Sequence, residues 1–296
     1  MRSDISTSLY KKPLVQPLLH RLWDCIFGLA AQFLLFSAHR RAPTLITDTF
    51  FYFAAVPAVI LFGISKGGFG SGLGVLAVPL IAMVVSPVQA AAILLPILCL
   101  MDLVGLWAYR GKWVLPELRI LLPASLAGIA IGTLMFEFMS PSRLRLLLGV
   151  VAISFTVNHW LQARLSQSSE QKLFGPAIGT AAAAVAGFTS FIAHAGGPPI
   201  TMYLLRRGIN RTQFVATTVV FFAVVNYVKL APYTWLGQFD ASNLKTSLVL
   251  SPLAPVGIGM GVWLHKRVTD RIFFRIAYAM LTVVGVKLMY DGITGV

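Results

Sequence analysis

The stretch Gly63-Ile-Ser-Lys-Gly-Gly-Phe-Gly-Ser-Gly-Leu-Gly74 places six glycines and one lysine in twelve residues of an otherwise apolar region. Each glycine costs a helix about 1 kcal/mol relative to alanine, so a regular helix is poorly held there. Such a break leaves backbone N–H groups open, and a half-helix starting near Ser71 would aim its positive end at whatever fills it. Lys66 is the only basic residue in this deep region. Ser65, Lys66, Gly67, Gly68 and Gly70 are therefore expected to form an anion cradle. A phosphate-binding P-loop is excluded, because no Gly-Lys-[Ser/Thr] tripeptide is present. Close helix packing through Gly68/Gly72 and Gly70/Gly74 is the plainer use of these glycines, but it leaves Lys66 unexplained.

A second break is expected in Gly187-Phe-Thr-Ser-Phe-Ile-Ala-His-Ala-Gly-Gly-Pro-Pro199. Pro198 and Pro199 fit a first helical turn, where no N–H is needed, and Gly196 and Gly197 free the backbone just before it. Thr189, Ser190 and His194 add side-chain donors, so this segment is read as the second half of the binding site. His194 is either a ligand or proton relay or a satisfied structural histidine. Asp102 is the only acid read as lying well inside a span. It is expected to carry a coupled proton, to partner Lys66, or to bond between helices. Gln89 and Gln213 are expected to cap helices.

No enzyme constellation is legible. Ser65, His194 and Asp102 could be assembled into a trio, but no nucleophile-elbow motif supports it. Cys25 and Cys99 lack metal-ligand spacing, Walker motifs are missing, and no cofactor is called for.

These groups need elements to hold them, and composition says which. The chain has 296 residues, of which 57% are hydrophobic and 11% charged, against about 25% charged in soluble domains. Ala90–Ala108, Ile120–Phe136, Leu173–Ala193 and Leu248–Leu264 approach the ~20 apolar residues that cross a bilayer. Backbone in lipid must bond within its own segment, so these are helices. The fold class is therefore an all-α polytopic membrane bundle. The formal charge of +14 falls between the apolar runs, as topology determinants do, rather than marking a nucleic-acid partner.

The body reads as two halves, 44–161 and 173–296, joined by a polar linker, 162–172. An offset of 124 pairs Gly63 with Gly187, Ser65 with Thr189, Gln89 with Gln213, Asp102 with Asn226 and Tyr109 with Tyr233. At an offset of 129, the pattern Pro-x4-Gly-Ile-x-x-Gly recurs at Pro123–Gly132 and Pro252–Gly261. Internal repeats of this kind are common in transporters. If each half crosses an odd number of times, one face carries Arg110, Lys112, Arg119, Arg164, Lys172, Arg206, Arg207, Arg211, Lys266, Arg267, Arg271 and Arg275. The other face then carries Arg143, Arg145 and Lys245, a bias of twelve to three. Basic loops stay in the cytoplasm, so inverted repeats follow, with the carboxyl terminus outside.

Residues 1–43 form an extension in which Leu22–Ala38 is apolar apart from Asp24 and Gln32. His39, Arg40 and Arg41 follow where a signal peptide would be cleaved, so an extra span or a membrane-surface helix is expected.

The glycine-rich first break, the His-Ala-Gly-Gly-Pro-Pro second break and the paired Pro…Gly-Ile-x-x-Gly spans resemble the TauE/SafE family of sulfite and organosulfur exporters. The resemblance covers roughly residues 48–292. It implies secondary transport of a small sulfur-containing or carboxylate anion, in a bacterial inner membrane. The expected partners are thus the anion, the lipid bilayer and protons as coupling ion, with the oligomeric state unreadable. An uncoupled anion channel and an intramembrane enzyme or assembly factor are the rival classes.

Overall fold

Where water is absent, each backbone N–H and C=O must be satisfied within its own segment, so apolar runs of this length have the helix as their stable form. The structure, a computed structural model, describes residues 45–69, 74–136, 138–165, 173–265, 267 and 270–295. The candidate helix 22–38, Gly70, Ser71, most of the linker and Val296 lie outside the described residues. Among the described residues there is no strand, and eleven α-helices make an all-α bundle within the unit Thr44–Val296.

Helix α1 (Thr49–Ile64) is started by Asp48, whose carboxylate accepts from the Phe50 N–H at 3.0 Å. It loosens into a π-helical turn at Ser65–Phe69, and the chain resumes as a 3₁₀ turn at Gly74–Leu76 and the short α2 (Ala77–Ala82). Ser86 caps α3 (Pro87–Ala108), and α4 (Leu115–Phe136) and α5 (Pro141–Leu165) follow. The second half runs α6 (Pro176–Ala193), α7 (Gly197–Leu205), α8 (Arg211–Trp235), α9 (Ala241–Leu250), α10 (Leu253–His265) and α11 (Asp270–Thr294). Gln213 closes a capping box with Asn210 at the start of α8, as expected. Gln89 instead has its backbone capped by Ser86, while its side chain donates to Asn243 on α9 at 3.1 Å.

Among the described residues six helices are long and apolar enough to cross a membrane, and α9 with α10 forms a seventh, bent candidate. The run Leu248–Leu264 is therefore not the single straight span expected. It breaks at Ser251–Pro252 with a 41° bend. Pro252 has no N–H to donate and its ring crowds the preceding turn. The Leu248 carbonyl is met by the Ser251 hydroxyl at 2.8 Å.

Packing follows the small residues. Helix α1 lies against α10, and α6 against α4. A methyl added to Gly63 would stand 2.7 Å from the Gly257 Cα, and one added to Gly128 would stand 2.0 Å from the Ala184 carbonyl oxygen. A methyl added to Gly187 would stand equally close to the Ser125 carbonyl oxygen, at 2.0 Å. Gly128 and Gly257 are the first glycines of the two Pro-x4-Gly-Ile-x-x-Gly patterns, so this motif serves helix crossing. Without a hydrophobic driving force in lipid, close backbone approach of this kind supplies the association energy. Helices α3 and α8 cross one another, as do α5 and α11.

Apolar side chains also cover the outside. Phe53, Trp107, Phe138, Trp235 and Leu248 are each between 72% and 79% exposed. In water such a surface would drive aggregation, whereas in a bilayer it is the solvated face. The fold is that of an integral membrane protein.

Candidate functional site

At the second break α6 ends at Ala193, and His194 adopts the left-handed conformation with φ 51° and ψ 28°. A β-carbon is disfavoured there, so the backbone must be held from outside. The His194 N–H donates to the Ser190 carbonyl at 3.1 Å and the Ala195 N–H to the Thr189 carbonyl at 3.2 Å, a Schellman-like closure. The Thr189 hydroxyl is occupied by backbone too, donating to Val185 O at 2.8 Å. Gly197 then opens α7, with Pro198 and Pro199 in its first turn, as the sequence predicts.

His194 turns inward, 4% exposed, with Nε2 2.9 Å from the Ala91 carbonyl. A carbonyl only accepts, so Nε2 carries the hydrogen and Nδ1 is left as an acceptor. Lys229 on α8, which is fully buried, fills that role: its Nζ lies 2.8 Å from His194 Nδ1, 2.9 Å from Ser190 O and 3.0 Å from Ser190 Oγ.

At the first break, Lys66 forms an ion pair with Asp102 on α3 and reaches the Leu98 carbonyl at 3.4 Å. The other Asp102 oxygen accepts from Asn226 Nδ2 at 2.6 Å, so the two residues paired by the 124 offset touch directly. Asp102 is 1% exposed and Asn226 3%, so the carboxylate leaves water only by acquiring both partners. The plainer roles weighed for Asp102, a Lys66 partner and an interhelical bond, are both realised.

Two cavities meet at Lys66. The smaller, about 20 Å³, is lined by Lys66, Ser190, His194, Gly197 and Asn226 with Phe62, Leu98 and Phe222. It has room for about one water molecule. The larger, about 160 Å³, starts at Lys66, Gly67 and Asp102 and follows the α3–α8 crossing to Tyr109 and Phe214. Its walls are mostly Val, Met, Phe and Ile, joined by Thr218, with Lys66 and Asp102 as the charged end. Tyr109 is followed by Arg110, and Arg211 opens α8 three residues before Phe214, so its far end lies near basic residues.

The expected site residues thus divide. Lys66, Gly67, Ser190, His194, Gly197 and Asp102 line one or both cavities. Ser65 is fully buried and lines neither, and Thr189 is spent on the break itself. Gly196 lies against the Ala186 carbonyl, where a methyl would stand at 2.6 Å. Gly68 belongs to the π-helical turn, and Gly70 lies outside the described residues.

Two groups were missed. Lys229 interrupts an apolar run, and the rule that singled out Asp102, an ionisable residue inside a span, applies to it equally. Glu117, 4% exposed, binds Arg207 Nε and the Tyr203 hydroxyl, each at 2.8 Å, and ties α4 to the end of α7. That hydrogen bond holds the Arg207 guanidinium pKa above its ordinary value. Arg207 was read only as a loop charge, since nothing local links it to a residue ninety positions earlier.

A sequence profile described as sulfite exporter TauE/SafE matches residues 55–288. No curated protein and no solved structure matches the chain at a significant level. The matched span takes in both breaks and all the groups that meet between them, and it is on this ground that the chain belongs to the TauE/SafE family of sulfite exporters.

Proposed function

We propose that this protein is a secondary transporter that exports a small anion, such as sulfite, a sulfonate or a related organosulfur or carboxylate anion, by alternating access. The observation that carries this reading is the placement of Lys66: it lines the small cavity shared with Ser190, His194 and Gly197, and also the larger one leading toward basic residues. An anion entering along the larger cavity reaches the lysine first and the second break next. The protein is no enzyme in this reading, and Asp102 or His194 carries the coupled proton.

The halves 44–161 and 173–296 are read as inverted repeats. Exchanging them turns the α1–α10 contact into the α6–α4 contact and maps α3–α8 and α5–α11 onto themselves, which supports a two-fold relationship. One repeat then rocks against the other about the site. The basic face is cytoplasmic in this reading, and the membrane is the bacterial inner membrane. The larger cavity then opens toward the cytoplasm, where an exporter loads.

Reconstituted vesicles test the function directly. Efflux and uptake across a panel of sulfite, sulfonates and carboxylates should saturate for at least one anion. Absence of flux for all of them sinks the reading, and flux that never saturates identifies a channel. Lys66→Ala should weaken binding of the transported anion by about 1.5–3 kcal/mol, the range for hydrogen bonds to charged groups. Asn226 still holds Asp102 in this variant. Unchanged affinity would make Lys66 a packing residue.

Topology has its own check. A reporter active only in the cytoplasm, fused after Val296, should be silent, and a strong signal would reverse the inverted arrangement.

A further inference from the structure

The buried centre contains more basic than acidic side chains. Lys66 and Asp102 cancel as an ion pair. Lys229 is fully buried, and among the described residues no carboxylate lies within ion-pair distance of it. His194 adds no charge, because Nε2 donates to Ala91 O while Nδ1 faces the lysine Nζ. An imidazolium would turn an N–H toward that nitrogen.

The hydrogen inventory sets the charge of Lys229 when the site is filled. An ammonium has three donors, and Ser190 O, Ser190 Oγ and His194 Nδ1 are three acceptors at 2.8–3.0 Å. With Lys229 donating to Ser190 Oγ, the serine hydroxyl hydrogen is free to point into the small cavity that Ser190 lines. A neutral amine instead needs that hydrogen for its own lone pair. An anion in the larger cavity that reaches one oxygen into this water-sized space past Lys66 therefore selects the charged lysine, through the Ser190 hydroxyl that touches both.

Resting on the transporter reading above, we propose that Lys229 is the charge-setting residue of the site and restricts the substrate to anions carrying a single negative charge. Two lysines against one carboxylate leave one positive charge in a buried region. A sulfonate or hydrogen sulfite neutralises it. A dianion such as sulfate or fully ionised sulfite leaves one negative charge unpaired in the membrane, which is costly. Lys229 acts as a positioning residue, leaving the Ser190 hydroxyl hydrogen free for the anion.

Methanesulfonate and sulfate separate charge from shape, since both are compact tetrahedral groups. Calorimetric titration of the full chain in detergent, at constant ionic strength, should show methanesulfonate binding at least about tenfold tighter than sulfate, because tenfold corresponds to only ~1.4 kcal/mol of such a penalty. Lys229→Met should weaken methanesulfonate binding by a similar factor. Asp102→Asn, which leaves both lysines without a carboxylate, should move the preference toward sulfate. Sulfate binding as tightly as methanesulfonate to the unaltered protein overturns the inference and leaves the transporter reading standing. A folded Lys229→Met protein with undiminished methanesulfonate affinity overturns it as well. If that variant does not fold, the unaltered protein and Asp102→Asn still decide. Binding of neither anion, together with no flux across the vesicle panel, overturns the transporter reading and the inference with it.

Discussion

Vesicles containing the Asp102→Asn protein are expected to lose anion accumulation driven by a pH gradient, while anion-for-anion exchange remains measurable. The carboxylate is held by Lys66 on one oxygen and by Asn226 on the other. In the proposed coupling, a proton arriving at Asp102 would weaken its hold on Lys66, which would then be available to an anion in the larger cavity. The amide has nearly the same shape and cannot change charge, so the link between proton and anion is cut at that atom. The expected effect is the disappearance of the pH-driven component rather than a partial loss. Persistence of that component at the unaltered level would leave Asp102 as a hydrogen-bonding residue. His194 would then be the group to replace next. Because Lys66 loses its counter-ion in this variant, its folded yield should be followed in parallel. Removing one partner of a buried pair costs about 3–5 kcal/mol in unfavourable cases.

Gly128→Val is expected to destabilise the bundle by about 3 kcal/mol or more, at the upper end of what overpacking costs. Its new Cβ would stand 2.0 Å from the Ala184 carbonyl oxygen, a backbone atom that cannot swing aside. Helices α4 and α6 would have to separate, and Gly187 would lose its contact with Ser125 at the same crossing. Gly257→Val should behave alike, since α10 meets α1 there, with Ile60 O at 2.9 Å. Gly259 supplies the control. It lies on the same helix, and a methyl there would have nothing within 4 Å. Thermal unfolding in detergent should therefore show a large loss for Gly128→Val and Gly257→Val and almost none for Gly259→Val. Equal effects at all three positions would mean that helix propensity, not crossing geometry, governs these glycines.

The membrane helices, the second break and the family are legible in the residues themselves. Apolar runs near the length of a bilayer have one backbone solution, and paired prolines such as Pro198 and Pro199 suit the first turn of a new helix. Such signals are local, because they depend on which atoms a residue has or lacks. The repeat offset also placed Asp102 and Asn226 in register before any contact was known.

What needed the tertiary structure is the division of labour among the polar groups. Ser65 and Thr189 have the right donors on the right segments, yet Thr189 is satisfied by its own helix and Ser65 lines neither cavity. Lys229 lies thirty-five residues from His194 and bonds to it, and Glu117 lies ninety residues from Arg207. Pro252 bends a span that its hydropathy presents as continuous, whereas Pro123, its counterpart at the 129 offset, sits inside an unbroken α4. The physical reason is the same in each case. Which donor meets which acceptor depends on how helices cross, and crossings are set by close contacts such as Gly63 with Gly257 and Gly128 with Ala184, whose partners are far away along the chain.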